Sequence, residues 1–183
     1  MRAIFFTILL VIFSLNLFAK KDPEIELGEI ELMNKTVKIK IPTNFKYLDK
    51  SQYSKFYLSE TEPKIMYTND DRSIHIGFFA NNIQADERTL PAVTRIMEKA
   101  LQSTHPKAKW KNTGIQEVNG GKVGFVEYQN KKPEKFYELV FFTNFRGQIL
   151  SCIFHAPKKG YKPWKNLSYQ MMKSLTLIKE NNK

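Results

Sequence analysis

A single cysteine, Cys152, is the only thiol in this chain of 183 residues, so no internal disulfide can form and stability has to come from packing. Three histidines, His75, His105 and His155, stand far apart and form no HExxH pair, the spacing by which a helix presents zinc to a hydrolytic site. There is no GxSxG elbow, no phosphate-cradling glycine loop and no SxxK arrangement. Zinc-finger spacing, a helix-turn-helix pattern and an RNP-type aromatic box are missing too, which removes the usual nucleic-acid modules. Negative charge is scarce: 18 Asp and Glu face 29 Lys and Arg, a net charge of +11.

What is present begins with MRAIFFTILLVIFSLNLFAK, where one arginine precedes an apolar run from Ala3 to Leu15 that closes at Ala19 before Lys20 and Lys21. This has the shape of a secretory signal peptide, residues 1–19, with cleavage expected after Ala19 although Leu17 occupies a position where a small residue is usual. No cysteine lies near the cleavage site, which argues against a lipid-anchored form. An uncleaved membrane anchor is the alternative, and the run is short of the about 20 apolar residues a span requires. Residues 20–183 are expected to form a single globular domain, long enough to bury a core without metals. An exported, periplasmic or secreted location follows. A basic surface outside the cytoplasm points to anionic lipid head groups, envelope polysaccharide or an acidic protein rather than nucleic acid, with peripheral membrane association as one form. A lysine-rich surface that serves solubility alone is the competing account.

Periodicity supplies the elements. EIELMNKTVKIKIP alternates twice about Asn34 and Lys35 and predicts an N-terminal hairpin, with Pro42 ending its second arm. The strand Val37 to Ile41 is a candidate exposed edge. Residues 43–62 are aromatic but aperiodic, predicting a loop with one helical turn near Ser51 to Phe56. PKIMYTNDDRSIHIGFFANN predicts two strands about Asn69, Asp70 and Asp71. In TLPAVTRIMEKALQST, Leu90, Val93, Met97, Ala100 and Leu101 share one helical face, and His105 with Pro106 marks its end. KWKNTGIQEV, KVGFVEYQ, KFYELVFFTN and QILSCIFHA form a four-strand meander turning through GG, KKPE and FRG. KPWKNLSYQMMKSL is a closing helix with Trp164, Leu167, Met171, Met172 and Leu175 on one face. Apolar residues on both faces of the central strands require cover on both sides. The expected fold is therefore α+β, an antiparallel sheet flanked by helices on both faces, an α/β/α sandwich.

The order of these elements, with the phrases IPTNF, VNGGKVGF and MMKSL between Val37 and Leu177, resembles the PsbP-like superfamily, which includes extrinsic photosystem subunits, yeast Ran-binding Mog proteins and bacterial DcrB-like envelope proteins. The resemblance implies a non-catalytic binding, accessory or chaperone-like role. It transfers no functional residue, because no metal-binding or partner-binding motif of those families appears here.

Three constellations are candidates for chemistry. His75 and His155 both fall in strands and could meet, with Cys152 nearby as the one nucleophile; in a strand, however, Cys152 and His155 point to opposite faces. If KKPE is a four-residue loop, Phe125 opposes Val140, Val123 opposes Phe142 and Glu127 opposes Glu138, two carboxylates that a cation, Lys131 or Lys135 would have to relieve. Finally, Lys158, Lys159, Tyr161, Lys162, Trp164 and Lys165 mix charge with aromatic area and form a candidate anion or partner surface. No catalytic residue and no cofactor is expected, and the chain reads as a monomeric, exported, non-enzymatic binding or accessory protein of a bacterial envelope. Two alternatives stand beside that reading: a toxin-immunity or chaperone-like protein that caps an apolar partner, and a small hydrolase or metal-dependent enzyme.

Overall fold

A computed structural model describes residues 25–57, 62–132 and 134–178; residues 1–19, expected to be a signal peptide, lie outside the described residues. Strands β1 (Leu27–Leu32) and β2 (Val37–Pro42) form the predicted hairpin, and β3 (Lys46–Tyr47) leads into a short 3-10 turn, Lys50–Lys55. β4 (Ile65–Thr68), β5 (His75–Gln84), the helix α1 (Leu90–Thr104) and the meander β6 (Lys109–Val118), β7 (Gly121–Gln129), β8 (Phe136–Phe145) and β9 (Gln148–Pro157) follow. The helix α2 (Tyr161–Ser174) and a two-residue strand β10 (Thr176–Leu177) close the described chain. Among the described residues no helix is long and apolar enough to cross a membrane.

Seven strands pair in the order β3-β4-β5-β9-β8-β7-β6, and every pairing is antiparallel. The two faces of this sheet are buried by different partners, as the two-sided apolar pattern requires. On one face Leu90 and Val93 of α1 meet Val126, Val140, Phe142 and Ile149. Gly124 lies under α1, where an added Cβ would sit 2.7 Å from Thr94 Oγ1 and 2.5 Å from Phe142, so the missing side chain is what lets helix and sheet approach. On the other face Met171, Met172 and Leu175 of α2 join Phe125, Leu139, Phe141, Cys152 and Phe154, together with Val37 and Ile39. The architecture is the expected antiparallel sheet covered on both sides.

Two local expectations are corrected. The strand Val37–Pro42 is not an edge: β1 and β10 pair with it on either side, making it the centre of a small second sheet. The β7–β8 register is shifted by one residue, because the loop holds five residues rather than four. Asn130 N donates to Phe136 O, and the Asn130 amide donates to the carbonyls of Lys132 and Glu134, which draws Lys135 into the loop. Phe125 therefore opposes Phe141, Glu127 opposes Leu139 and Glu138 opposes Tyr128. Since side chains alternate along a strand, this places Glu127 and Glu138 on opposite faces of the sheet.

The glycine turn between β6 and β7 is structural. Asn119 (φ 48°) and Gly120 (φ 81°) both adopt left-handed conformations, as a tight hairpin turn demands. The Asn119 side chain donates to the carbonyls of Lys173 and Leu175 and to Thr176 Oγ1, satisfying carbonyls that the end of α2 leaves unpaired.

Candidate functional site

The one-residue register shift assembles a row of side chains that runs across five adjacent strands on the α1 face. Trp110 on β6 pairs with Tyr128 on β7, Tyr128 with Glu138 on β8, Glu138 with His155 on β9, and His155 with His75 on β5. A bulge in β6 just after Trp110 sets that strand's later residues back one place against β7. The Tyr128 hydroxyl donates a short hydrogen bond to Glu138 Oε2, and His155 Nδ1 lies 2.8 Å from Glu138 Oε1, placed to donate to it. The two imidazoles stack, with centroids 4.7 Å apart and planes 10° from parallel. Trp110 stacks on Tyr128 at 5.0 Å, while Phe136 packs against His155 at 4.9 Å.

Burial gives this row its electrostatics. His75 is 6 % exposed, and its Nδ1 has no hydrogen-bond partner among the described residues. Desolvation first, and then the neighbouring His155, lower its pKa to about 3, because a charged imidazole would lose its water and face a second ring. Burial and the Glu138 carboxylate also raise the Tyr57 and Tyr128 hydroxyls well above the ordinary phenol range. A carboxylate bonded to His155 Nδ1 is how a general base is oriented, yet Cys152 lies on the α2 face, fully buried, where desolvation pushes its thiol up and keeps it protonated. The expected separation of Cys152 from His155 therefore holds, and His75 and His155 do meet.

Glu127 has a different neighbourhood. On the α2 face it is 2 % exposed, paired with Lys165 Nζ at 3.0 Å and accepting from the Tyr169 hydroxyl at 2.9 Å. The relief of this carboxylate thus comes from α2 rather than from Lys131 or Lys135. Among the described residues no group of three His, Cys, Asp or Glu side chains converges as a metal site would need.

The basic surface divides in the same way. Lys165 is committed to Glu127, Tyr161 stacks on Tyr137 at 5.2 Å, and Trp164 packs between Phe45 and Phe154 at 5.8 and 6.1 Å. Lys159 and Lys162 are exposed and Lys158 half-buried around Gly160, the residue that caps α2, and the first turn of that helix carries no acidic residue. At the opposite end of α2 the β6–β7 and β8–β9 turns border a cavity of about 310 Å³, whose lining mixes apolar residues such as Val118, Leu175 and Ile178 with polar ones such as Asn119, Thr143 and Asn144.

Sequence reasoning missed Tyr128, Trp110, Tyr57, Tyr169 and Asn119. For Tyr128 the signal was within reach: a five-residue loop puts it opposite Glu138. Tyr57 and Tyr169 reach their partners only through tertiary packing.

No protein-family model matches the chain, and no curated protein matches it in sequence. Among solved structures it superposes on the cyanobacterial PsbP (CyanoP) from Synechocystis with a TM-score of 0.58, at 12% identity, over 84% of this chain and 93% of that one. The fold is PsbP-like. The same PsbP-like architecture is shared with LpqN of Mycobacterium tuberculosis, a protein involved in cell envelope biogenesis, at a TM-score of 0.54, 10% identity, and coverage of 86% and 94%. A variant of the protein Mog1 aligns at a TM-score of 0.50 and 15% identity, covering 85% of this chain and 98% of its own. At such identities the PsbP-like likeness is one of backbone.

Proposed function

We propose that this chain is an exported, non-enzymatic binding or accessory protein of a bacterial envelope, and that it engages an anionic partner at the start of α2. The observation that carries the reading is the cluster of Lys158, Lys159 and Lys162 about a helix N-terminus that has no acidic residue in its first turn. A helix N-terminus adds positive potential of its own. The rings of Tyr161 and Trp164, packed on Tyr137 and Phe154, hold that end of the helix rigidly, so little order is lost on binding. The non-enzymatic part is supported by the closed economy of the Tyr128–Glu138–His155 row, whose polar atoms bond to one another, and by the position of Cys152 on the other face. An envelope protein such as LpqN on the same fold fits an exported setting. The mature chain, residues 20–183, would carry a net charge of +10, since only Arg2 leaves with the leader, and would work as a monomer without a cofactor.

The test is retention of residues 20–183 on vesicles containing phosphatidylglycerol, on anionic polysaccharide and on an envelope extract, at low and high salt. Binding that falls steeply with salt and is reduced about tenfold by Lys158→Glu, Lys159→Glu and Lys162→Glu together is the expected result. Binding indifferent to those three changes overturns the assignment of the surface.

A second reading rests on the cavity at the other end of α2. The apolar part of its lining, Val118, Val123 and Leu175, and the Ile178 side chain, 40% exposed, suit a protein that caps an apolar partner segment, as a chaperone-like or immunity protein would. A stable co-purifying protein that is lost on Ile178→Asp, and not on the lysine changes, would favour it.

A further inference from the structure

The row of polar side chains on the α1 face is covered at its His75 end by one small piece of chain. Phe56 stands edge-on to the His75 ring at 5.2 Å, and Tyr57 at 5.9 Å. Both belong to the segment that follows β3 and the 3-10 turn. This segment is anchored through the smallest of the three apolar clusters, Leu48, Tyr53 and Met66, and by a backbone bond from Leu48 N to Met66 O. β3 itself is a two-residue strand at the sheet edge. A segment anchored on one small cluster, beside a two-residue edge strand, opens at lower free energy than the central sheet beneath it, even with Tyr53 buried and Tyr57 packed on Phe79 at 5.5 Å.

We propose that the segment Lys50–Tyr57 is an acid-released cover, which closes over the stacked His75–His155 pair when His75 is neutral and lifts away when His75 takes up a proton.

The geometry supplies both halves of this device. In the closed state an imidazolium at His75 would be shut in by Phe56 and Tyr57, with its Nδ1 buried and without a hydrogen-bond partner among the described residues, and a parallel ring 4.7 Å away. At that nitrogen no acceptor among the described residues stabilises the charge. The titratable groups facing the pair are Tyr57 from the cover, Glu138 from β8, Tyr128 from β7 and, beside Tyr128 at 5.3 Å, His105 from the end of α1. Of these Glu138 is the one acid, and its two oxygens are already engaged by Tyr128 and by His155. His155 has the carboxylate as partner; His75 Nδ1 has no hydrogen-bond partner among the described residues. The proton that opens the cover is therefore the one on His75. Once the cover lifts, solvent reaches that ring, and the row beneath, two imidazoles and a carboxylate among aromatic rings, is exposed.

The size of the effect follows from the two states. A closed-state pKa of about 3 against an ordinary value of about 6.5 in the open state raises the open population about 30-fold between neutral pH and pH 5. Hydrogen–deuterium exchange of the full chain at pH 7.5 and pH 5.0, with rates corrected for intrinsic exchange, reads it. Peptides spanning Lys50–Tyr57 should gain about 30-fold in corrected rate while β7 and β8 stay protected. His75→Phe, which keeps the ring and removes the proton, should abolish the gain. Equal loss of protection in all strands, or a gain that persists in His75→Phe, would overturn the proposal. Should that variant fail to fold, the His75 titration followed by NMR decides. Its midpoint should lie far below the ordinary value in the native chain and move up towards it in the Phe56→Ala/Tyr57→Ala chain, and an unmoved midpoint refutes the role of the cover.

Discussion

Glu127 and Glu138 sit on neighbouring strands within one register step of each other, and each is withdrawn from solvent, yet they live in opposite chemistries. On the α2 face Glu127 is held by a lysine, whose charge does not change between mild acid and mild base, and by the Tyr169 hydroxyl, pushed up to about 12 chiefly by burial. On the α1 face Glu138 is held by a histidine and a phenol, with a second histidine stacked behind whose Nδ1 has no hydrogen-bond partner among the described residues. The second face thus carries the buried His75, the histidine whose pKa burial lowers. A buried carboxylate is tolerable on either face because it is paired; the partner decides whether the pairing is permanent.

The largest expected effect breaks the comparison through pH. His75 is neutral in the folded chain down to about pH 3, whereas in the unfolded chain it binds a proton below about 6.5. The unfolded state thus takes up more protons in that window, and its contribution to stability is complete above pH 6.5 and lost as pH falls towards 3. Integrated to pH 3.5 this is on the order of 4 kcal/mol. Urea unfolding across that range should show it, and His75→Phe should remove this component. A slope unchanged in the variant would mean that other groups carry the acid sensitivity.

Lys165→Ala comes next. It leaves Glu127 in the α2 face without its cation, and since Lys165 is 42% exposed, solvent relieves part of the cost. A loss of about 2 kcal/mol is expected by urea denaturation at pH 7. The double change Lys165→Met/Glu127→Leu should recover most of it, because removing both partners leaves no buried charge. The smallest effect sharpens the contrast: Tyr128→Phe deletes one bond to Glu138 while leaving its ring between Trp110 and His105. About 1 kcal/mol should be lost by urea denaturation at pH 7. An unchanged stability would mean that the Tyr128 hydroxyl contributes nothing to holding the carboxylate.

Much of the fold was legible because it rests on patterns local to the chain. The two-sided apolar runs of β8 and β9 required cover on both faces, and the helical stripes of α1 and α2 supplied it. A glycine turn between β6 and β7 followed from the need for positive φ, although it falls on Asn119 and Gly120 rather than on Gly120 and Gly121. The candidate site was legible only in its parts. Spacing alone makes His75 and His155 strand residues that can meet, but a four-residue KKPE loop sets Glu138 opposite Glu127 where the fold has five residues, and a side-chain period of two turns that one-residue slip into a change of face. The lysines of α2 were visible as a cluster, although nothing local said that Lys165 would turn inward to Glu127.

By itself the sequence determined the layers, the hairpins, the basic excess and the exclusion of a disulfide, since each depends on residue type and short-range spacing. The tertiary structure alone decided the partners: which carboxylate met a lysine and which a histidine, which end of α2 stayed basic, and that Phe56 and Tyr57 would close over His75. Those pairings join residues distant in the chain, and they depend on a register that the Asn130 side chain sets by holding five residues in a loop.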